Sequence, residues 1–130
     1  MSRTRRGDRG QATVELALVL PLVAVLVLLV LQAGLVVRDH VLVQHAAREA
    51  ARAASVADAD RSTAATRAAA RAADLDAGRL RVSSTVSDGG ERVAVHVDYR
   101  SATEVPLVGL LLPDVELGGD AVMRVEAAHR

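Results

Sequence analysis

GQATVELALVLPLVAVLVLLVLQAGLVV, residues 10–37, sets the architecture of this chain. From Leu16 to Val37 there are 22 residues, none of them charged. At 1.5 Å per residue a helix of that length covers about 33 Å, the thickness of a bilayer's hydrocarbon core. Lipid supplies no hydrogen bonds, so a lone segment crosses it only as a helix that satisfies its own backbone. Pro21 lies inside the run and removes one backbone donor, which membrane helices tolerate better than soluble ones. Gln32 is the one strongly polar side chain in the span. The lipid bilayer is therefore the first partner that the sequence implies.

The rest of the composition excludes more than it offers. Of the 130 residues, those outside the span suffice for one small domain. Sixteen basic residues, all Arg, balance sixteen acidic ones, so no basic excess points to nucleic acid. The absence of Cys rules out disulfides and thiol chemistry. Tyr99 is the sole aromatic residue, so no platform exists for stacking bases or sugars.

The flanks orient the span. MSRTRRGDRG carries Arg3, Arg5, Arg6 and Arg9 against Asp8, a net of 4 − 1 = +3. Positive flanks stay in the cytoplasm, which places the N-terminus inside and everything after Arg38 outside, on a single-pass protein of the cytoplasmic membrane. A secretory signal peptide fits less well. Its apolar region is shorter, and it ends at a small-x-small site, whereas here the run continues into helix-compatible sequence.

Gly10 directly precedes the apolar run, and Glu15 is the fifth residue after it. A carboxylate at the mouth of a bilayer helix is costly and calls for a purpose. A short basic leader, then Gly, then Glu five residues on resembles the class III signal of type IV pilins. The resemblance implies cleavage between Gly10 and Gln11 by a prepilin peptidase, for which Gly leaves the backbone accessible. It further implies that Glu15 serves processing, or pairs with the new α-amino group of Gln11 on a neighbouring subunit.

Residues 10–54 extend the likeness. Gly10, Ala12, Val14, Glu15, Ala17, Leu18, Leu20 and Pro21 form one block, and AAREAARAA (46–54) forms a second at fixed separation. Together they are similar to the TadE-like family of the tight-adherence (Flp) pilus system. That family implies a pseudopilin or minor pilin, with a prepilin peptidase, other pilin-like subunits and the pilus assembly machinery as partners. Gln11 departs from the pattern, since many pilins carry Phe at the first mature position.

Past the membrane, RDHVLVQHAAREAARAAS continues the helix. Val43, Ala47, Ala50 and Ala54 make one stripe, and Arg38, His45, Glu49 and Arg52 the opposite, wet face. The stripe either packs on the chain's own domain or meets other subunits. His40 and His45, five apart, do not share a face at metal spacing and read as surface residues. The pattern breaks at Ser55–Asp60, where Asp58, Asp60 and Ser62 are candidate caps for a second Ala-rich helix over 60–73. From Arg79 the period becomes two. Leu80, Val82, Ser84 and Val86 alternate with polar residues; SDGGE supplies a turn; Val93, Val95, Val97 and Tyr99 alternate again. VPLVGLLLP (105–113) is apolar and framed by prolines, too short to span a membrane; the alternatives left open are that it plugs the edge of the sheet, lies on the bilayer or meets a partner. After Leu117-Gly118-Gly119, a third strand is expected at 121–127.

The expected fold class is α+β: a long transmembrane and stalk helix, a second helix, then a small antiparallel three-strand sheet. The expected divisions are a leader at 1–10, a membrane helix at 11–37, its continuation at 38–58, and an extracytoplasmic domain at 59–130. No nucleophile elbow, phosphate loop or metal spacing is present, so no catalytic residue, metal ligand, cofactor or small-molecule substrate is expected. His96 beside Asp98 reads as an exposed pair on the wet face of a strand. The reading is a membrane-anchored pilin-like subunit and not an enzyme. The alternative left open is an uncleaved, signal-anchored envelope scaffold or regulator with no pilus role.

Overall fold

The computed structural model describes residues 7–72 and 74–126. Helix α1 runs unbroken from Gly7 to Val56, fifty residues that include Pro21, a length of about 75 Å. It begins inside the segment read as leader and ends two residues short of the expected limit at 58. Helix α2 follows as Arg61–Ala72; residue 73, the expected end, lies outside the described residues. Three antiparallel strands complete the chain, β1 (Leu80–Ser87), β2 (Arg92–Ser101) and β3 (Val115–Arg124), in the order β1-β2-β3. The α+β class read from the sequence is the observed one.

The second half of α1 and all of α2 cover one face of the sheet, α1 over β2 and β3, and α2 over β1. The core between them consists of small residues. Val43, Ala46, Ala47, Ala50, Ala51 and Ala54 of α1 meet Ala65 and Ala69 of α2 and Val93, Val95, Val97 and Tyr99 of β2. The Ala stripe is thus buried within the chain's own domain, and is wider than expected because sheet and second helix take adjoining faces of α1. On the polar face Arg38, His45 and Arg52 are exposed as expected, whereas Glu49 is half-buried.

Asp60 caps α2. Its carboxylate accepts the Thr63 backbone N–H at 3.1 Å and the Thr63 hydroxyl. The hydroxyl bond, then the backbone bond, hold the Asp60 carboxyl below the ordinary Asp range. Of the three basic residues on α2, Arg67 and Arg71 are exposed, whereas Arg61 is half-buried with its Nε sealed off. The β1–β2 turn uses positive φ at Asp88, Gly89 and Gly90, as its Asp-Gly-Gly sequence requires.

The third strand corrects the sequence reading. It starts at Val115, not 121, ends at Arg124, and contains Gly118 and Gly119 in its interior; residue 127 lies outside the described residues. Glycine within a strand marks close approach of another backbone. A Cβ on Gly119 would sit 3.0 Å from Val43 O and Cγ1 and 3.2 Å from Val43 C. The helix therefore rests directly on the strand at this position. On Gly118, which faces outward, a Cβ would meet only His96, at ordinary contact distance.

Gly119→Val should therefore destabilise the domain by about 3 kcal/mol, since helix and strand must part. That lowers Tm by roughly 15 °C in a domain of this size. Gly118→Ala should change Tm little. Thermal circular dichroism of the full chain in detergent compares the two, and equal Tm for all three proteins would contradict the close contact.

The register fixes which loops lie near the membrane-side end of the domain. Ser101 Oγ donates to Asp39 Oδ2 at 2.7 Å, Gln44 Nε2 donates to the Gly118 carbonyl at 3.3 Å, and the Glu126 N–H donates to the Ser55 carbonyl at 3.2 Å. Strand β3 thus travels along α1 away from the apolar run. Arg38 pairs with Asp74 at 3.6 Å, which brings the α2–β1 connection to the same membrane-side end. The β1–β2 turn and the α1–α2 connection lie at the far end.

Candidate functional site

The residues singled out from the sequence lie on α1 between Gly10 and Val37, a stretch whose large apolar side chains are mostly exposed. Leu16 and Val37 bracket the uncharged run and are both largely exposed, as are Leu18, Leu20 and Leu22 between them. So long a row of bare leucines and valines is unstable in water and is what lipid or neighbouring helices cover. The helix is long and apolar enough to cross a membrane.

Gly10 sits in a continuous helix, where Gly is less favourable than Ala by about 1 kcal/mol. The fold does not require it. A Cβ there would meet nothing within 4 Å, and its φ is not positive. Gln11 and Glu15, four apart, share a face, and Gln11 Nε2 donates to Glu15 Oε1 at 3.3 Å. That neutral amide orients the carboxylate without cancelling its charge. Pro21 is accommodated two turns further on without ending the helix. Gly10, Gln11 and Glu15 therefore form an exposed group at the head of the apolar run.

The domain's own polar groups offer an alternative centre. His96 bridges two carboxylates across the outer face of the sheet, Nδ1 to Asp120 at 2.6 Å and Nε2 to Asp98 at 3.0 Å. The bond to Asp120 first, and that to Asp98 second, raise its pKa above the ordinary His value. Both ring nitrogens are thus engaged by carboxylates. The sequence identified Asp98 as a neighbour but missed Asp120, whose register partner is His96. A shallow cleft beside them is lined by Arg79, Arg81 and Arg100 with Asp98 and Glu116. Its charges are largely matched, with Arg100 held to Glu116 at 3.2 Å and Arg79 to Asp76 and Glu104. Among the described residues no cluster of His, Cys, Asp and Glu is arranged to hold a metal ion.

No curated protein and no solved structure matches the chain. The family model described as TadE-like protein matches residues 10–52, so the TadE-like resemblance is shown over the apolar run and most of its stalk.

Proposed function

We propose that this protein is a membrane-anchored pseudopilin or minor pilin that serves assembly of a tight-adherence type IV pilus or a related secretion system. A prepilin peptidase removes residues 1–10, other pilin-like subunits pack on the exposed half of α1, and the assembly machinery draws on this anchored pool. The protein is not an enzyme. The N-terminus lies in the cytoplasm and the α+β domain outside.

One observation carries the reading. Gly10 and Glu15 head an exposed apolar run within the TadE-like match; a Cβ on Gly10 would meet nothing within 4 Å, and Glu15 accepts only a neutral amide, that of Gln11, on its own helix. A residue costly to its own helix, and a charge costly to its own membrane insertion, are accounted for by demands from outside the chain. Cleavage after Gly10 would also turn Gln11 into the start of the helix. Glu15 would then stand near the positive end of the helix dipole and about 6 Å along the axis from a new α-ammonium. The same ammonium on a neighbouring chain meets Glu15 when two helices pack with a small axial stagger.

Orientation is tested with reporters fused after Arg130. A reporter active only outside the cytoplasm should work there, as the +3 leader demands. Activity of a cytoplasm-only reporter at that position would reverse the orientation and remove the pilin reading with it.

A further inference from the structure

We propose that the β2–β3 connection, residues 102–114, is a second membrane contact whose leucines insert into the outer leaflet beside the spanning helix. The inference rests on the membrane-anchor part of the reading above.

The segment is a closed, internally bonded loop. Its ends are adjacent, since Ser101 pairs with Val115 across the sheet. The Asp114 carboxylate accepts the Thr103 N–H at 3.1 Å, and the Thr103 hydroxyl donates to the Pro113 carbonyl at 3.0 Å. Within it, the Gly109 N–H donates to the Val105 carbonyl, and the N–H groups of Leu111 and Leu112 both donate to the Val108 carbonyl. Gly109 permits the fold, because a Cβ there would lie 2.5 Å from the Thr103 carbonyl oxygen. Such a loop holds its side chains in fixed directions.

Those directions divide by residue type. Val105 and Val108 point inward and are buried. Leu107, Leu110, Leu111 and Leu112 point outward, and Leu110 is 86 % exposed. Leu107 even holds a φ of +68°, a region that a bulky side chain enters only under constraint. Between Glu104 and Asp114 the loop carries no charge. Four leucines facing outward from one bonded loop form a built apolar surface, in contrast to scattered exposed leucines.

Its position selects the bilayer as the occupant. The loop leaves the sheet at Ser101, which is bonded to Asp39, two residues beyond the end of the uncharged run. Gln32, about 10 Å lower along α1, is only 5 % exposed, and both polar atoms of its side chain are enclosed without a hydrogen-bond partner. Leu28 and Val36, one turn to either side on the same stripe, are half-buried while most of the surrounding span is bare. The turn at Val108–Leu110 contacts α1, which makes this loop the proposed cover of Gln32. A surface at the depth of Gln32 lies inside the hydrocarbon layer whenever Leu16–Val37 spans it. The proposal is thus a lipid contact continuous with the anchor.

The chain has no Trp, so a single one reports its own surroundings. L110W, L26W and V122W, each at an exposed position, are made in the full chain and reconstituted into phosphatidylcholine–phosphatidylglycerol vesicles with bromine on the acyl chains. Quenching of L110W comparable with that of L26W in the span, with V122W on the sheet unquenched, is the expected result. Quenching of L26W but not L110W would overturn the loop's insertion and leave the anchor standing. Blue-shifted L110W emission without bromine quenching would mean that protein covers the leucines, which also overturns it. If neither L26W nor L110W is quenched, the anchor itself fails and takes the loop contact with it.

Discussion

Cells whose only copy carries Glu15→Ala should hold at least the wild-type amount of membrane-bound protein yet make few or no pili. The carboxylate sits at the head of the uncharged run, with the Gln11 amide as a neutral neighbour at 3.3 Å. For a monomer in lipid its removal is a relief, worth on the order of 1–3 kcal/mol. For an assembled subunit the effect reverses. The neighbour's Gln11 ammonium is left in a low-dielectric setting without its counter-charge, and breaking one partner of such a pair costs about 3 kcal/mol or more. At 1.4 kcal/mol per decade, each subunit docking would weaken by roughly a hundredfold. Immunoblots of membranes and pilus counts on the same cells measure both sides. Accumulation of uncut protein would instead assign Glu15 to peptidase recognition. Normal cleavage with normal pili would leave Glu15 without a role and favour the plain signal anchor.

The second large effect is expected from Gly10→Leu. Leucine is a better helix former than glycine by nearly 1 kcal/mol, and its Cβ would meet no neighbouring atom within 4 Å. Helix α1, insertion and the domain beyond it should all persist, with cleavage alone abolished. The variant should be found in the membrane at wild-type level or above, at full length, and pili should be absent. Efficient cleavage of Gly10→Leu would show that the glycine is not what the protease reads.

The contrast between Gly10 and Gly119 shows how much of the fold the sequence made legible. Both glycines sit inside regular elements, and neither has a positive φ. Gly10 was singled out because its spacing to Glu15 and to the apolar run is visible in one dimension. The sequence reading starts the third strand only after Gly119, because the reason for this glycine is the Val43 backbone 3.0 Å away, and Val43 is far off in sequence. Periodicity sufficed for α1, α2 and the β1–β2 hairpin, whose apolar residues follow clean 3.6 and 2.0 patterns. It failed for the first half of β3, where Leu117-Gly118-Gly119 has little side chain to make a pattern.

The site was legible for a different reason. Its residues are local to one helix, so spacing alone brings Gly10, Gln11 and Glu15 together. What the sequence did not show is how bare they are, and how little the remainder of the chain needs them. Residues 105–113 were visible as apolar and proline-framed. The division into inward valines and outward leucines depends on the hydrogen bonds that close the loop and on the Ser101–Asp39 contact that hangs it beside the span. No one-dimensional signal carries that information. The His96–Asp120 pair was missed for the same reason, since it is made across strands twenty-four residues apart.

The proposed role makes the head of α1 a processing and assembly signal and not a plain anchor. The most direct measurement is the intact mass of the wild-type chain extracted from membranes of cells with an active prepilin peptidase. The expected species begins at Gln11 and lacks MSRTRRGDRG. A chain of the full 13.6 kDa, with residues 1–10 still attached, would contradict the claim.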